Sequence, residues 1–260
     1  MLRKLHLLVI CAILLLSQSI FPQTVNELIL AGDNYATKEF DNQKALDAYL
    51  QADKLSPNNW EIYWRISRAY IDIAEHLPAN SDAQKDAQLQ KYQQAFDYAD
   101  KSVKLAPDKS VTYLRRAIAN GRIALFKGVF TAIGLVNSVK DDCEKALSLG
   151  NGGTDIQSTV NYVLGRTHAK VCEKAYLVRL PLGLGWGDMD KAINYFKKAI
   201  ELRPNYRMYH LDIAKAYIEE KEYAKAKEHL LKIEKIPVQD EDDDQFLAES
   251  KKLFDQIKNK

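Results

Sequence analysis

The side chains able to do chemistry are few and scattered in this 260-residue chain. Its five histidines, His6, His76, His168, His210 and His229, would be the first choice for metal ligation or proton transfer. None stands in an HExxH pattern or at a spacing that gathers ligands. LPLGLGWGD, residues 180–188, is glycine-rich but lacks the GK[ST] of a phosphate loop, and no strand leads into it. It reads as a loop between helices that presents Trp186, either onto the core or to a partner. In QDEDDDQ, residues 239–245, Asp240, Asp242 and Asp244 alternate as in a calcium loop. The glycine and the final glutamate of such a loop are missing, and Lys251 stands at the last ligand position. The run reads instead as the acidic opening of a terminal helix over 246–258, where the helix dipole favours negative charge. Cys143 and Cys172 lie at unequal distances from the turn at Asn151, so antiparallel helices would hold them at different heights. They read as small core thiols rather than a disulfide. No constellation for catalysis emerges, and no cofactor or metal is expected.

The informative spacing belongs to small residues. In KAINYFKKAIELRPN, Ala192, Phe196 and Ala199 precede Pro204. Alanine at those offsets lets a second helix come close, the aromatic fills the gap, and the proline ends the helix. The spacing returns as Ala45, Tyr49, Ala52 and Pro57, and as Ala95, Ala99, Ser102 and Pro107. Val139, Cys143, Ala146 and Asn151 form a weaker copy with a turn residue in place of the proline. A second half-pattern follows each terminator: Tyr63, Ile66, Ser67 and Tyr70 after Pro57, and His210, Ile213, Ala214 and Tyr217 after Pro204. Tyr113, Arg116, Ala117 and Asn120 are a degraded copy. Asn161, Leu164, Gly165 and His168 fit with extra residues before them, and Gly32 and Tyr35 supply the half-pattern ahead of Ala45.

Together the halves resemble the tetratricopeptide repeat, a 34-residue helix-turn-helix unit. The resemblance predicts an all-α superhelix of about five units over residues 25–260 as a single domain, closed by a C-terminal capping helix. Tyr70 to Ala95 and His168 to Ala192 are too long for the repeat, so two units carry insertions between their helices. The segments NYVLGRTHAK, MDKAINYFKKAIELRPNY and YHLDIAKAYIEEKEYAKAKEHLLKIEKIPVQDEDD further resemble the regulator of microtubule dynamics family and its bacterial relatives. That resemblance implies a helical interaction or tethering domain; it does not imply microtubule binding here, because of the N-terminus.

MLRKLHLLVICAILLLSQS places Arg3 and Lys4 before an apolar run from Leu5 to Leu16, followed by Ser17 and Ser19. This is the grammar of a secretory signal over residues 1–19, and the run is short for a span of ~20 apolar residues. Cleavage is the expectation, with retention as an anchor the alternative. The expected location is the bacterial periplasm or cell envelope. Losing Arg3 and Lys4 from 37 Lys and Arg leaves 35, equal to the 35 Asp and Glu. A formally neutral domain argues against a nucleic-acid partner held by general phosphate attraction. Residues 123–139, IALFKGVFTAIGLVNSV, are nearly all apolar and read as a buried helix pair or as a groove for an acyl chain or membrane.

In tetratricopeptide superhelices the first helix of each unit lines the inner groove, and the residue after the small crossing residue points into it. By that resemblance the lining positions are Arg68, Ile118, Arg166 and Lys215, with Arg122 and Lys170 one turn on. Trp64, Leu114 and Tyr162 would flank them as flat apolar surface. Such a lining suits an acidic peptide or a carboxylate terminus, because arginine grips a carboxylate through two hydrogen bonds. Glu61, Asp72 and Glu219 lie on the same face, and neutralisation by these acids is the competing account.

Overall fold

Several helices begin on a cap legible in their own sequence. The computed structural model describes residues 24–260, so the expected signal at 1–19 lies outside the described residues. Thr24 opens α1 (Val25–Asn34) with a capping box: its hydroxyl accepts from the Glu27 amide at 3.2 Å, and the Glu27 carboxylate accepts from the Thr24 amide at 2.8 Å. A π-turn, Tyr35–Glu39, then leads to α2 (Asn42–Leu55), capped by Asp41. Asn59 caps α3 (Trp60–Glu75), and Ser81 with Gln84 forms a second capping box on α4 (Asp82–Leu105). There follow α5 (Ser110–Lys127), α6 (Ile133–Leu149), α7 (Gly153–Cys172), the short α8 (Tyr176–Arg179) with a 3₁₀ turn at Leu180–Leu182, and α9 (Met189–Leu202). The chain ends with α10 (Arg207–Glu219), α11 (Tyr223–Ile233) and α12 (Asp243–Ile257).

The helices pack as pairs α1/α2, α3/α4, α5/α6, α7/α9 and α10/α11, with α12 laid over the last pair. First helices of successive pairs also touch, from α3 to α5 to α7 to α10, and this continuous neighbour contact makes the fold an all-α tetratricopeptide-type solenoid. The first expected insertion is absorbed by lengthening α4 to 24 residues, and the second is the α8 segment.

The terminators act through backbone sterics. Ser56, Ala106 and Arg203, each just before a proline, sit at φ −139°, −138° and −136° with ψ 73°, 68° and 82°. The proline ring excludes the α region for the residue ahead of it, so three helices stop in one geometry. The weak copy has no proline, and α6 ends instead on left-handed Gly150 at φ 64°.

The small residues lie where helices cross. Ala45, Ala52, Ala95, Ala99, Ala146, Ala192, Ala199, Ala214 and Ala226 are all fully buried. A Cβ on Gly165 would fall 2.7 Å from the Phe196 ring, and one on Gly32 would run into Tyr49. Each aromatic of a second helix therefore fills the space left by a small residue on its first helix.

Two expectations are corrected, the start of the terminal helix and the burial of Cys172. The helix placed over 246–258 begins at Asp243. The acidic run ahead of it does more than favour a helix dipole. Asp243 is buried and accepts from the Gln239 amide at 2.6 Å and the Asp240 amide at 3.0 Å, which folds the loop back on itself. The loop then reaches the N-terminal units through Glu241 and Asp242, which meet Asn42 on α2 and His76 after α3. The apolar segment 123–139 is a helix pair as expected, the end of α5 and the start of α6 joined at Gly128, φ 89°. Cys143 is buried as expected, whereas Cys172 is only half-buried, and both are free thiols. No helix of the described residues is long and apolar enough to cross a membrane.

Candidate partner groove

The first helices α5, α7 and α10 wall an open cavity of about 510 Å³. Its apolar side comes from Ile118, Ala124, Leu125, Val129, Val136 and Val139, largely the segment 123–139. Its polar side carries Arg122, Arg166, Lys170 and Lys215 with Asp212, Glu173 and Glu219. Four of the expected groove cations are thus brought to one cavity, and Tyr162 lines it from α7.

Arg68 and Trp64 lie outside this cavity, further toward the N-terminal end of the inner face. Leu114 is corrected: it is fully buried against Val139, Cys143, Val160 and Leu164, beneath the neighbouring helices rather than on a surface. Tyr162 is also almost wholly covered, stacked on Tyr209 with ring centroids 4.8 Å apart, and its hydroxyl donates to Asp212 at 2.7 Å. It is a floor of the cavity rather than a flat flank. Trp64 is half-buried beneath the Arg65 guanidinium, 4.2 Å from its ring.

Each expected cation has an acidic neighbour. Arg68 meets Asp72 at 3.3 Å, Arg166 meets Asp212 at 3.3 Å, and Lys170 meets Glu173 at 2.6 Å. Lys215 meets Asp212 at 3.2 Å and Glu249 at 3.0 Å, and Arg122 contacts Glu75. Of the acids foreseen, only Asp72 takes an expected groove cation; Glu61 goes to Arg65, and Glu219 lines the cavity. Burial pushes the Glu75 carboxyl up to about 7 against the pull of Arg122. Tyr162 and Asp212 beside Arg166 hold its guanidinium above the ordinary arginine value despite its burial.

The glycine-rich segment after α8 is built around a buried arginine. Arg179 donates to the carbonyls of Leu184 at 3.2 Å and Gly187 at 2.5 Å. Trp186 donates to Asn137 at 2.9 Å and meets His168 edge-on, half-buried over α6. Burial holds His168 down at about 4, a neutral packing residue. Among the described residues, no group of three or more His, Cys, Asp or Glu side chains is placed to hold a metal ion.

A solenoid of paired helices with an open inner face defines a helical repeat protein of the tetratricopeptide class. Residues 28–258 match the family described as "RMD1-3: Regulator of microtubule dynamics protein 1-3", and the chain belongs to that family. It is also 30% identical over 132 residues to the human antiviral innate immune response effector IFIT1, a match covering 46% of this chain and 27% of that protein. The chain thus spans about a quarter of the length of that curated relative. Among solved structures, an IFIT1 monomeric mutant with Gppp-AAAA superimposes at a TM-score of 0.54 and 18% identity, covering 96% of this chain and 58% of that one. A thermophilic tetratricopeptide protein of Thermus thermophilus superimposes at 0.50 and 17% identity, over 76% of this chain and 84% of that one. At these identities both show the fold alone.

Proposed function

We propose that the protein is a non-catalytic scaffold that holds an acidic segment of another protein along its inner face. The observation that carries this reading is the open cavity between α5, α7 and α10, apolar on one side and edged by Arg122, Arg166, Lys170 and Lys215 on the other. Their ion pairs do not forbid binding. Partly exposed pairs contribute only ~0–1 kcal/mol each, so a ligand carboxylate can take over a lysine or arginine at small cost. Tagged protein cross-linked in its native envelope should recover the partner, and Lys170→Gln with Lys215→Gln should lose it while helical content and melting stay as in the parent. Full recovery by that double variant, with loss on changing the outer helices instead, would move the binding site elsewhere.

A second reading rests on the apolar wall. Ala124, Leu125, Val129, Val136 and Val139 line the same cavity, which suits an acyl chain with an anionic head at the cationic edge. A fluorescent fatty acid that stays free in the presence of the purified domain, and liposomes that leave it in the supernatant, would dispose of that reading. The charged and apolar pattern of residues 1–19 supports export to the envelope, and sequencing the N-terminus of the protein from its host tests cleavage.

A further inference from the structure

Among the described residues, Arg115 is the one inner-face guanidinium that the fold leaves without an oxygen. Along α3, α5 and α7 the pattern is otherwise strict: Arg65 is held by Asp33 at 2.9 Å, Arg68 by Asp72, Arg122 by Glu75 and Arg166 by Asp212. Arg116, the next residue along, is gripped by Asp142 at 2.7 Å and Asp100 at 2.8 Å. Where the fold buries an arginine without an acid, it supplies carbonyls. Arg179 reaches Leu184 and Gly187, and Arg207 reaches Ile236 and Asp243. Arg115 has no acid within ion-pair distance and no hydrogen bond among the described residues, and its Nε is sealed from solvent with no acceptor.

Its surroundings concentrate positive charge. The guanidinium lies 5.4 Å from the Trp64 ring that Arg65 also covers, and Arg68 is close enough to repel it. Burial, then Arg68 and more weakly Arg65, pull Arg115 down to about 10 against the opposing pull of Asp72, which leaves it charged at neutral pH. Asp33 is already committed to Arg65 and the Tyr49 hydroxyl, and Asp72 to Arg68. A half-buried charge lacking a partner destabilises the free protein and becomes favourable once an anion arrives.

We propose that Arg115, with Arg68 and the Trp64 face beside it, is a binding site for one oxyanion, a carboxylate or phosphate group of whatever lies in the N-terminal half of the inner face. Carboxylate and phosphate share the two-oxygen edge that a guanidinium binds through parallel N–H bonds. The site deepens the groove reading by giving it a second anchor, at α3 and α5, apart from the cavity over α7 and α10.

Small anions test it without any protein partner. Acetate and inorganic phosphate, each titrated against chloride at constant ionic strength, should raise the melting temperature of the wild-type chain, as any ligand of the native state does. Whichever acts at lower concentration names the source. Arg115→Met should weaken that response and, because it removes an unpaired charge, should melt no lower than wild type without anion. The Arg115 Nε–H resonance of the wild-type protein should also shift on titration, which holds the test open if the variant misfolds. An equal anion response in Arg115→Met, or an Arg115 resonance unmoved at saturating acetate and phosphate, would overturn the proposal. Anion binding at Arg115 with no peptide partner recovered would keep this site while removing the peptide reading.

Discussion

Asn42 and Glu241, 199 positions apart in the chain, are joined by two hydrogen bonds of 2.9 Å from the Asn42 amide to both carboxylate oxygens. His76 reaches the same loop, 3.3 Å from Asp242 and 3.8 Å from Glu241. The C-terminal loop therefore clasps the first two units, and the superhelix is tied across its ends rather than left open. Glu241→Ala with Asp242→Ala should enlarge the radius of gyration in small-angle scattering with helical content preserved. An unchanged scattering profile would mean that the clasp does not set the shape. Burial lowers the His76 pKa, but the Asp72 carbonyl and the two acids outweigh it and raise the value above 6.5. A raised value means that the clasp's gain from charged His76 is complete below pH 6.5 and fades as pH rises through the folded-state value. Wild type should thus be most compact on the acid side of that window, a dependence that His76→Gln should lack.

The crossing alanines give the most direct test of the repeat packing. Ala192, Ala199 and Ala226 are fully buried, and the Ala192 carbonyl already lies 3.1 Å from where a Cβ on Gly165 would stand. Leucine at any of the three must push helices apart, at ~1–3 kcal/mol each. Leu231→Ala, at a site 49% exposed, should stay within about 0.5 kcal/mol by the same thermal melts. Equal melting of all four variants would show that these alanines are not close contacts.

The repeat register was legible because it is local: a small residue, an aromatic and a proline at fixed offsets must form one crossing and one stop. Closure by Glu241 and Asp242 was not, since partners so distant in the chain leave no periodic trace. Leu114 was misplaced for a geometric reason. It lies one turn before the groove position on α5, and the neighbouring α6 and α7 cover that turn. Trp64, at the equivalent turn of α3, has Arg65 and Arg115 over its ring and stays half-exposed. Arg115 adjoins Leu114 in sequence, yet its meaning lies in an absence of acids that only three-dimensional neighbours reveal.

The segment after α8 should depend on Arg179. Tyr176, Leu177, Val178 and Leu180 are exposed by 52%, 82%, 54% and 49%, an apolar stretch held out by the buried guanidinium's grip on two carbonyls. Arg179→Met leaves the Gly187 carbonyl unpaired, the Leu184 carbonyl keeping only the Gly187 amide at 3.3 Å, at a cost of ~1–3 kcal/mol. Chymotrypsin should then cut at Tyr176 or Leu177 faster than in wild type, with the rest of the solenoid intact. Equal cutting rates would mean that the turn holds its shape without the arginine.

The last unit carries a pair of histidines whose proton count is fixed by geometry. His210 Nε2 lies 2.9 Å from the Pro204 carbonyl and must donate to it, so His210 Nδ1 is an acceptor. His229 Nδ1 lies 2.9 Å from that acceptor and donates across the α10/α11 contact, with Tyr217 stacked on its ring. A proton on His210 Nδ1 would set two N–H groups face to face. Burial, the neighbouring His210 and Lys232 hold His229 down at about 4, and burial lowers His210 as well. Because the folded values lie below 6.5, the unfolded chain binds more protons between pH 6.5 and about 4, and stability falls as pH drops through that window. At ~1.4 kcal/mol per pH unit for His229 alone, the loss approaches ~3 kcal/mol. Urea midpoints measured from pH 7 to 4 should fall less steeply for His229→Leu than for wild type, and the difference between the two curves removes the carboxylates common to both. Parallel curves would show that the pair is not held neutral by the fold.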